Sequence, residues 1–128
     1  MPEQIKITLL VAAGGMIGAV SRLTLSIGIH NVWPSIFPIG TLIINAIGCL
    51  ILGFFMGVAK EFELQFTLYF FAVGILGSFT TFSTFAFESV QLLEIGNTKF
   101  FILNILANVI LGCLCILLGK TLFNLVYT

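Results

Sequence analysis

Of the 128 residues, 59% are hydrophobic and only 8% are charged. A soluble domain of this size needs far more charge to cover its surface, so composition places the chain in a membrane. Net charge is zero, and without a basic patch or charge run there is no nucleic-acid signal.

A membrane helix needs about 20 apolar residues. The first such run covers about residues 5–29. It is too long for the apolar region of a signal peptide, it contains Arg22, and three more runs follow it, so it reads as a span. Gly14 and Gly18 form a small-xxx-small pair, which suits close helix packing. The loop HNVWPSIFP (30–38) holds Pro34, Pro38 and the single Trp, a composition suited to the membrane interface. His30 has no other ligand type near it in sequence, so no metal site is expected there.

The second span covers about 39–59. Thr41, Asn45 and Gly48 fall at i, i+4 and i+7, on one helical face. Gly53 and Gly57 repeat the small-xxx-small pair. The charged group KEFEL (60–64) separates this span from the third, about 66–93.

The third span contains GSFTTFSTF (77–85), in which five of the seven residues from Ser78 to Thr84 carry a hydroxyl. Hydroxyls compete for backbone carbonyls, and Gly77 loosens the helix further. The stretch therefore predicts a helix break. At membrane depth, freed backbone must be buried in protein or must line a cavity, and outward carbonyls make a cation site. Phe82 and Phe85 are i, i+3 neighbours, and Thr81, Thr84 and Glu88 form an adjoining stripe.

The turn EIGNTK (94–99) leads to the fourth span, about 100–126, where Asn104, Asn108 and Gly112 share one face. The three cysteines, Cys49, Cys113 and Cys115, lie in apolar stretches and read as small buried hydrophobes. No second domain or linker is evident, and the expected fold is a single all-α domain of four transmembrane helices, 1–128. An even span count puts both termini on one side, with Lys6, Lys60 and Lys120; Lys99 and Arg22 lie toward the other. That bias is weak. It fits either a single orientation with the termini inside or a chain inserted both ways and paired antiparallel.

Polar residues at membrane depth are costly and usually face protein or water. Each stripe alone could be helix-to-helix hydrogen bonding. Stripes on three spans together point to a polar path. It offers hydroxyls, amide donors and the partly positive edges of Phe rings, with Glu88 as the one deep carboxylate. That chemistry favours a small, strongly hydrogen-bonding anion over a cation. No nucleophile–base set or phosphate loop is present, so no enzymatic chemistry is expected.

Four segments resemble the Fluc (CrcB-type) fluoride channels: GGMIGAVSRL (14–23), GTLIINAIGCLILG (40–53), GILGSFTTFSTFAFE (74–88) and EIGN (94–97). They occur in that family's order. The resemblance implies an antiparallel, dual-topology homodimer with two pores, exporting fluoride passively across a bacterial plasma (inner) membrane. It places Phe82, Phe85, Asn45, Ser83, Thr41 and Glu88 along the fluoride path. It also implies a central structural sodium ion held by the backbone carbonyls of Gly77 and Thr80 of both copies. Arg22 matches the family's first-span arginine, taken as structural or electrostatic. Two positions depart from the pattern. Ser78 stands where a second glycine is common, and Gly112 where some members carry a serine; Asn104 and Asn108 are candidates to compensate. The alternatives are a small dual-topology multidrug exporter, which would want a membrane-embedded glutamate in the first span, and a non-transporting membrane subunit, which leaves the three polar stripes unexplained.

Overall fold

The computed structural model describes residues 1–127. The elements are α1 (Glu3–Val32), α2 (Ile39–Glu61), α3 (Gln65–Leu68), a π-helical segment (Tyr69–Leu76), α4 (Gly77–Phe79), α5 (Phe82–Glu94) and α6 (Thr98–Tyr127). Together they make four helical runs long and apolar enough to cross a membrane, the third being Gln65–Glu94. Even α2, the shortest span at 23 residues, is about 34 Å long at 1.5 Å per residue, enough for a hydrocarbon core of about 30 Å. The helices run past the apolar stretches, out to Glu3, Glu61 and Glu94, because interfacial backbone still gains from internal hydrogen bonding where side chains reach water.

Turn chemistry sets the helix ends. After α5, Gly96 takes φ +77°, Asn97 N–H donates to Leu92 O at 2.9 Å, and Gly96 N–H donates to Leu93 O at 3.0 Å. This is a Schellman stop, and only glycine takes that φ without strain. Asn97 Oδ1 then accepts from Phe100 N–H at 3.2 Å and caps α6. After α2 a partial version of this closure forms, with Glu63 at φ 51° and Leu64 N–H donating to Ala59 O at 3.0 Å.

Glycines let the spans meet at backbone distance. A Cβ on Gly14 would overlap Phe70 O and crowd Gly74 Cα at 3.0 Å, and one on Gly18 would overlap Ile75 O. The first small-xxx-small pair is therefore where α1 seats on the π-helical segment. The second does the same for α2 and α6: a Cβ on Gly53 would overlap Ile116 O, and one on Gly57 would run into the Phe123 ring. In lipid, where apolar surface gains little from pairing, such close van der Waals contact holds helices together.

The π winding of Tyr69–Leu76 was not foreseen from the sequence. Its wider turn lies where Gly74 meets Gly14, so side chains give no hindrance on that face. The third span changes partners along its length. Its first half, through α4, packs on α1, and its second half, α5, packs mainly on α6. The transfer occurs at Thr80 and Thr81.

Candidate functional site

The site is built on the interruption between α4 and α5. Thr80 (φ −77°, ψ 155°) and Thr81 (φ −145°, ψ 120°) are extended, so the third span breaks inside the hydroxyl-rich stretch. Two backbone N–H groups are diverted there. In an unbroken helix Thr81 N–H would close on the Gly77 carbonyl; here it donates to Asn45 Oδ1 at 2.9 Å. Thr84 N–H would close on the Thr80 carbonyl; here it donates to Thr81 Oγ1 at 3.2 Å. Thr81 thus caps α5. The carbonyls of Gly77 and Thr80 leave the helical ladder at the negative end of a half-helix dipole. Thr80 Oγ1 donates back to Leu76 O at 3.0 Å.

Asn45 of α2 grips the break from the opposite side. Its Nδ2 donates to Thr81 O at 3.2 Å and to Asn108 Oδ1 at 3.0 Å. Asn108 Nδ2 in turn donates to Asn104 Oδ1 at 2.9 Å and to Asn104 O at 3.0 Å. Asn104 is fully buried and donates through Nδ2 to Ser89 Oγ at 2.9 Å. The asparagine stripe of the fourth span therefore faces the third and second spans. Sequence reasoning did not single out Ser89. Its only local sign is its place four residues after Phe85, whose carbonyl accepts its hydroxyl at 2.7 Å.

Phe82 and Phe85 meet edge to face, with ring centroids 5.5 Å apart and planes at 65°. Phe85 is buried, whereas Phe82 is 79% exposed on a single chain. Ser83, beside it, is exposed as well. Thr41 Oγ1 donates to Glu88 Oε1 at 2.9 Å, tying α2 to α5. The other Glu88 oxygen is buried and has no hydrogen-bond partner among the described residues.

Three cavities follow one another along these residues. A cavity of about 360 Å³ opens beside the α1–α2 loop, lined by His30, Trp33, Ser26, Thr41, Glu88 and Gln91 among others. One of about 210 Å³ shares Ser26 and Thr41 with it and adds Arg22, Thr81 and Thr84. The third, about 240 Å³, shares Thr81 with the second and is lined by Asn45, Phe82, Phe85 and Asn108. Of the residues singled out from sequence, Thr41, Glu88, Arg22, Asn45, Phe82 and Phe85 thus border one series of cavities. Gly77 lies in α4, at the break.

Four apolar spans, one of them interrupted around polar side chains and a string of cavities, define a multi-pass membrane protein. The family described as "CrcB-like protein, Camphor Resistance (CrcB)" matches residues 9–120, and the chain belongs to it. The chain is 40% identical over 117 residues to a protein of Campylobacter lari named "Fluoride-specific ion channel FluC", covering 91% of this chain and 96% of that one. A protein of the same name from Dehalococcoides mccartyi is 42% identical over 119 residues, covering 91% and 92%. A third, from Clostridium novyi, is 34% identical over 127 residues, covering 98% and 99%. The family resemblance drawn from GTLIINAIGCLILG and GILGSFTTFSTFAFE is borne out.

Proposed function

We propose that this protein is a fluoride-selective channel, passing the ion down its gradient out of the cell through pores formed between two antiparallel copies of the chain. The observation that carries this reading is the Phe82–Phe85 pair beside the break, bordering a cavity shared with Asn45 and Thr81. Ring edges and hydroxyl donors suit a small anion that hydrogen-bonds strongly. The names of the relatives support fluoride as that anion.

A second copy gives the exposed face of α5 an occupant. Phe82, Phe87 and Val90 are all at least half exposed on one chain, and Ser83 lies with them. In an antiparallel pair the partner covers the open side of the Phe pair, so each path draws on both chains. The weak lysine bias permits insertion in either direction. Within each path, Thr41, Ser83 and Glu88 extend the polar surface, and Arg22 adds a positive charge beside Thr81 and Thr84.

A structural sodium ion fits the break. The Gly77 and Thr80 carbonyls are released because Thr81 N–H goes to Asn45 and Thr84 N–H goes to Thr81 Oγ1. Released carbonyls at a half-helix end are hard oxygen ligands suited to sodium. Bound between two copies, the ion would tie the two breaks together. The test of the reading is efflux from liposomes holding the purified protein, with a fluoride electrode and a parallel chloride electrode. Fast fluoride release without chloride release is expected. No fluoride release from well-folded, reconstituted protein would return the multidrug exporter or the non-transporting subunit to first place.

A further inference from the structure

A chain of hydrogen bonds runs in one direction through the site. Thr81 N–H donates to Asn45 Oδ1 at 2.9 Å, and Asn45 Nδ2 donates to Asn108 Oδ1 at 3.0 Å. Asn108 Nδ2 donates to Asn104 Oδ1 at 2.9 Å, and Asn104 Nδ2 donates to Ser89 Oγ at 2.9 Å. Ser89 closes the chain by donating to Phe85 O at 2.7 Å. The series starts at the helix break and ends on the backbone of the buried Phe, passing through α2, α6 and α5.

Each carboxamide in the series has one accepting end and one donating end. Turning Asn45 or Asn108 over would set N–H against N–H, or oxygen against oxygen, at both of its links; turning Asn104 over would set its N–H against that of Asn108 and draw the Ser89 hydroxyl away from Phe85 O. The near end fixes the sense: the Thr81 backbone N–H can only donate, so Asn45 must present Oδ1 to it. Ser89 Oγ receives Asn104, so its single hydrogen goes to Phe85 O. Asn104 is 0% exposed and Ser89 3%, so water has no room to replace a lost partner. Unpaired polar groups at such depth are costly, and coupled networks of this kind hold one arrangement. Both Nδ2 hydrogens of Asn45 are engaged within the protein, by Thr81 O and Asn108 Oδ1.

We propose that Ser89, Asn104 and Asn108 are positioning residues, whose one-way hydrogen-bond chain holds the Asn45 amide in the orientation that the Thr81 backbone sets, and through it the Thr80–Thr81 break. Asn45 then serves the ion path by holding the break open in one geometry. It does not offer the ion a free donor. The consequence for flux rests on the fluoride reading above; the orientation itself does not.

The test uses the full chain in lipid nanodiscs, with asparagine labelled by 15N. The Asn45 side-chain signal is assigned by its loss in Asn45→Ser, and its hydrogen exchange is followed. In the unsubstituted protein exchange is slow. Ser89→Ala, three links away, makes Asn45 side-chain exchange about tenfold faster. Ser89→Thr restores slow exchange, because a helical threonine hydroxyl can also bond the i−4 carbonyl. Asn104→Ala removes the same link from its other side and gives the same reading should Ser89→Ala not fold. Fluoride efflux from the same preparations falls about tenfold in Ser89→Ala and recovers in Ser89→Thr. Unchanged Asn45 exchange in Ser89→Ala and Asn104→Ala overturns the relay, whatever the flux. Faster exchange in a protein whose unsubstituted form moves no fluoride upholds the relay and removes the fluoride reading.

Discussion

Replacing either ring of the Phe pair by isoleucine separates ring-edge electrostatics from packing. Phe82 is 79% exposed on the single chain and Phe85 only 8%. Phe82→Ile therefore changes the chain's own stability by less than about 0.5 kcal/mol. Phe85→Ile shrinks a buried side chain and costs about 1–2 kcal/mol. The functional effect has a different origin. An aromatic face attracts a desolvated cation by about 2 kcal/mol, and the opposite end of the same quadrupole gives the edge a comparable pull on a desolvated anion. Isoleucine has no such edge. At 1.36 kcal/mol per decade, losing about 2 kcal/mol slows the step by about thirtyfold. The assay is fluoride efflux from liposomes, on protein shown to be monodisperse by size-exclusion chromatography and intact by thermal melting. Both variants are expected to slow efflux about thirtyfold, with the melting temperature lowered only in Phe85→Ile. Wild-type efflux in both would refute the ring-edge argument. Slowing in Phe85→Ile alone, in step with lost stability, would reduce the pair to packing.

Asn45→Asp is expected to abolish fluoride efflux. One carboxylate oxygen could keep the Thr81 N–H, but the other would face Thr81 O and Asn108 Oδ1, acceptors now at 3.2 and 3.0 Å from Nδ2; unchanged efflux would take Asn45 out of the account. Gly18→Leu forces α1 off the Ile75 carbonyl, an overpacking that costs about 1–3 kcal/mol or more. Its melting temperature should fall clearly, and an unchanged melt would mean that α1 does not seat on the π-helical segment. For orientation, Ser35→Cys in a chain with Cys49, Cys113 and Cys115 replaced by alanine should react with an impermeant maleimide from each side of the membrane in about half of the molecules. Labelling from one side alone would contradict insertion in both directions.

The spans and the break were legible because both are dense local signals. Long apolar runs admit little but helix in a bilayer, and five hydroxyls within Ser78–Thr84 disturb a helix whatever surrounds them. What the break does with its backbone was not legible. That Thr81 N–H goes to Asn45 depends on two spans meeting 36 residues apart in sequence. The asparagine stripe of the fourth span was visible as a face, but its partner was not. Asn104 reaches Ser89, the second serine of α5, and only the packing of α5 on α6 gives that serine meaning. The π winding of Tyr69–Leu76 has no local signature beyond a run of apolar residues ending near Gly74; it arises where that segment meets Gly14 and Gly18. The unequal burial of Phe82 and Phe85 likewise follows from where α5 lies, not from their i, i+3 spacing.

The central claim, passive and selective fluoride conduction, is tested most directly by the reversal potential in a planar bilayer. A tenfold fluoride gradient is balanced with chloride so that total anion is equal on both sides. A passive fluoride-selective pore gives a current that reverses near the fluoride equilibrium potential, about 59 mV for a univalent ion. Reversal displaced to the chloride side, or no current from protein that is folded and inserted, would contradict the account.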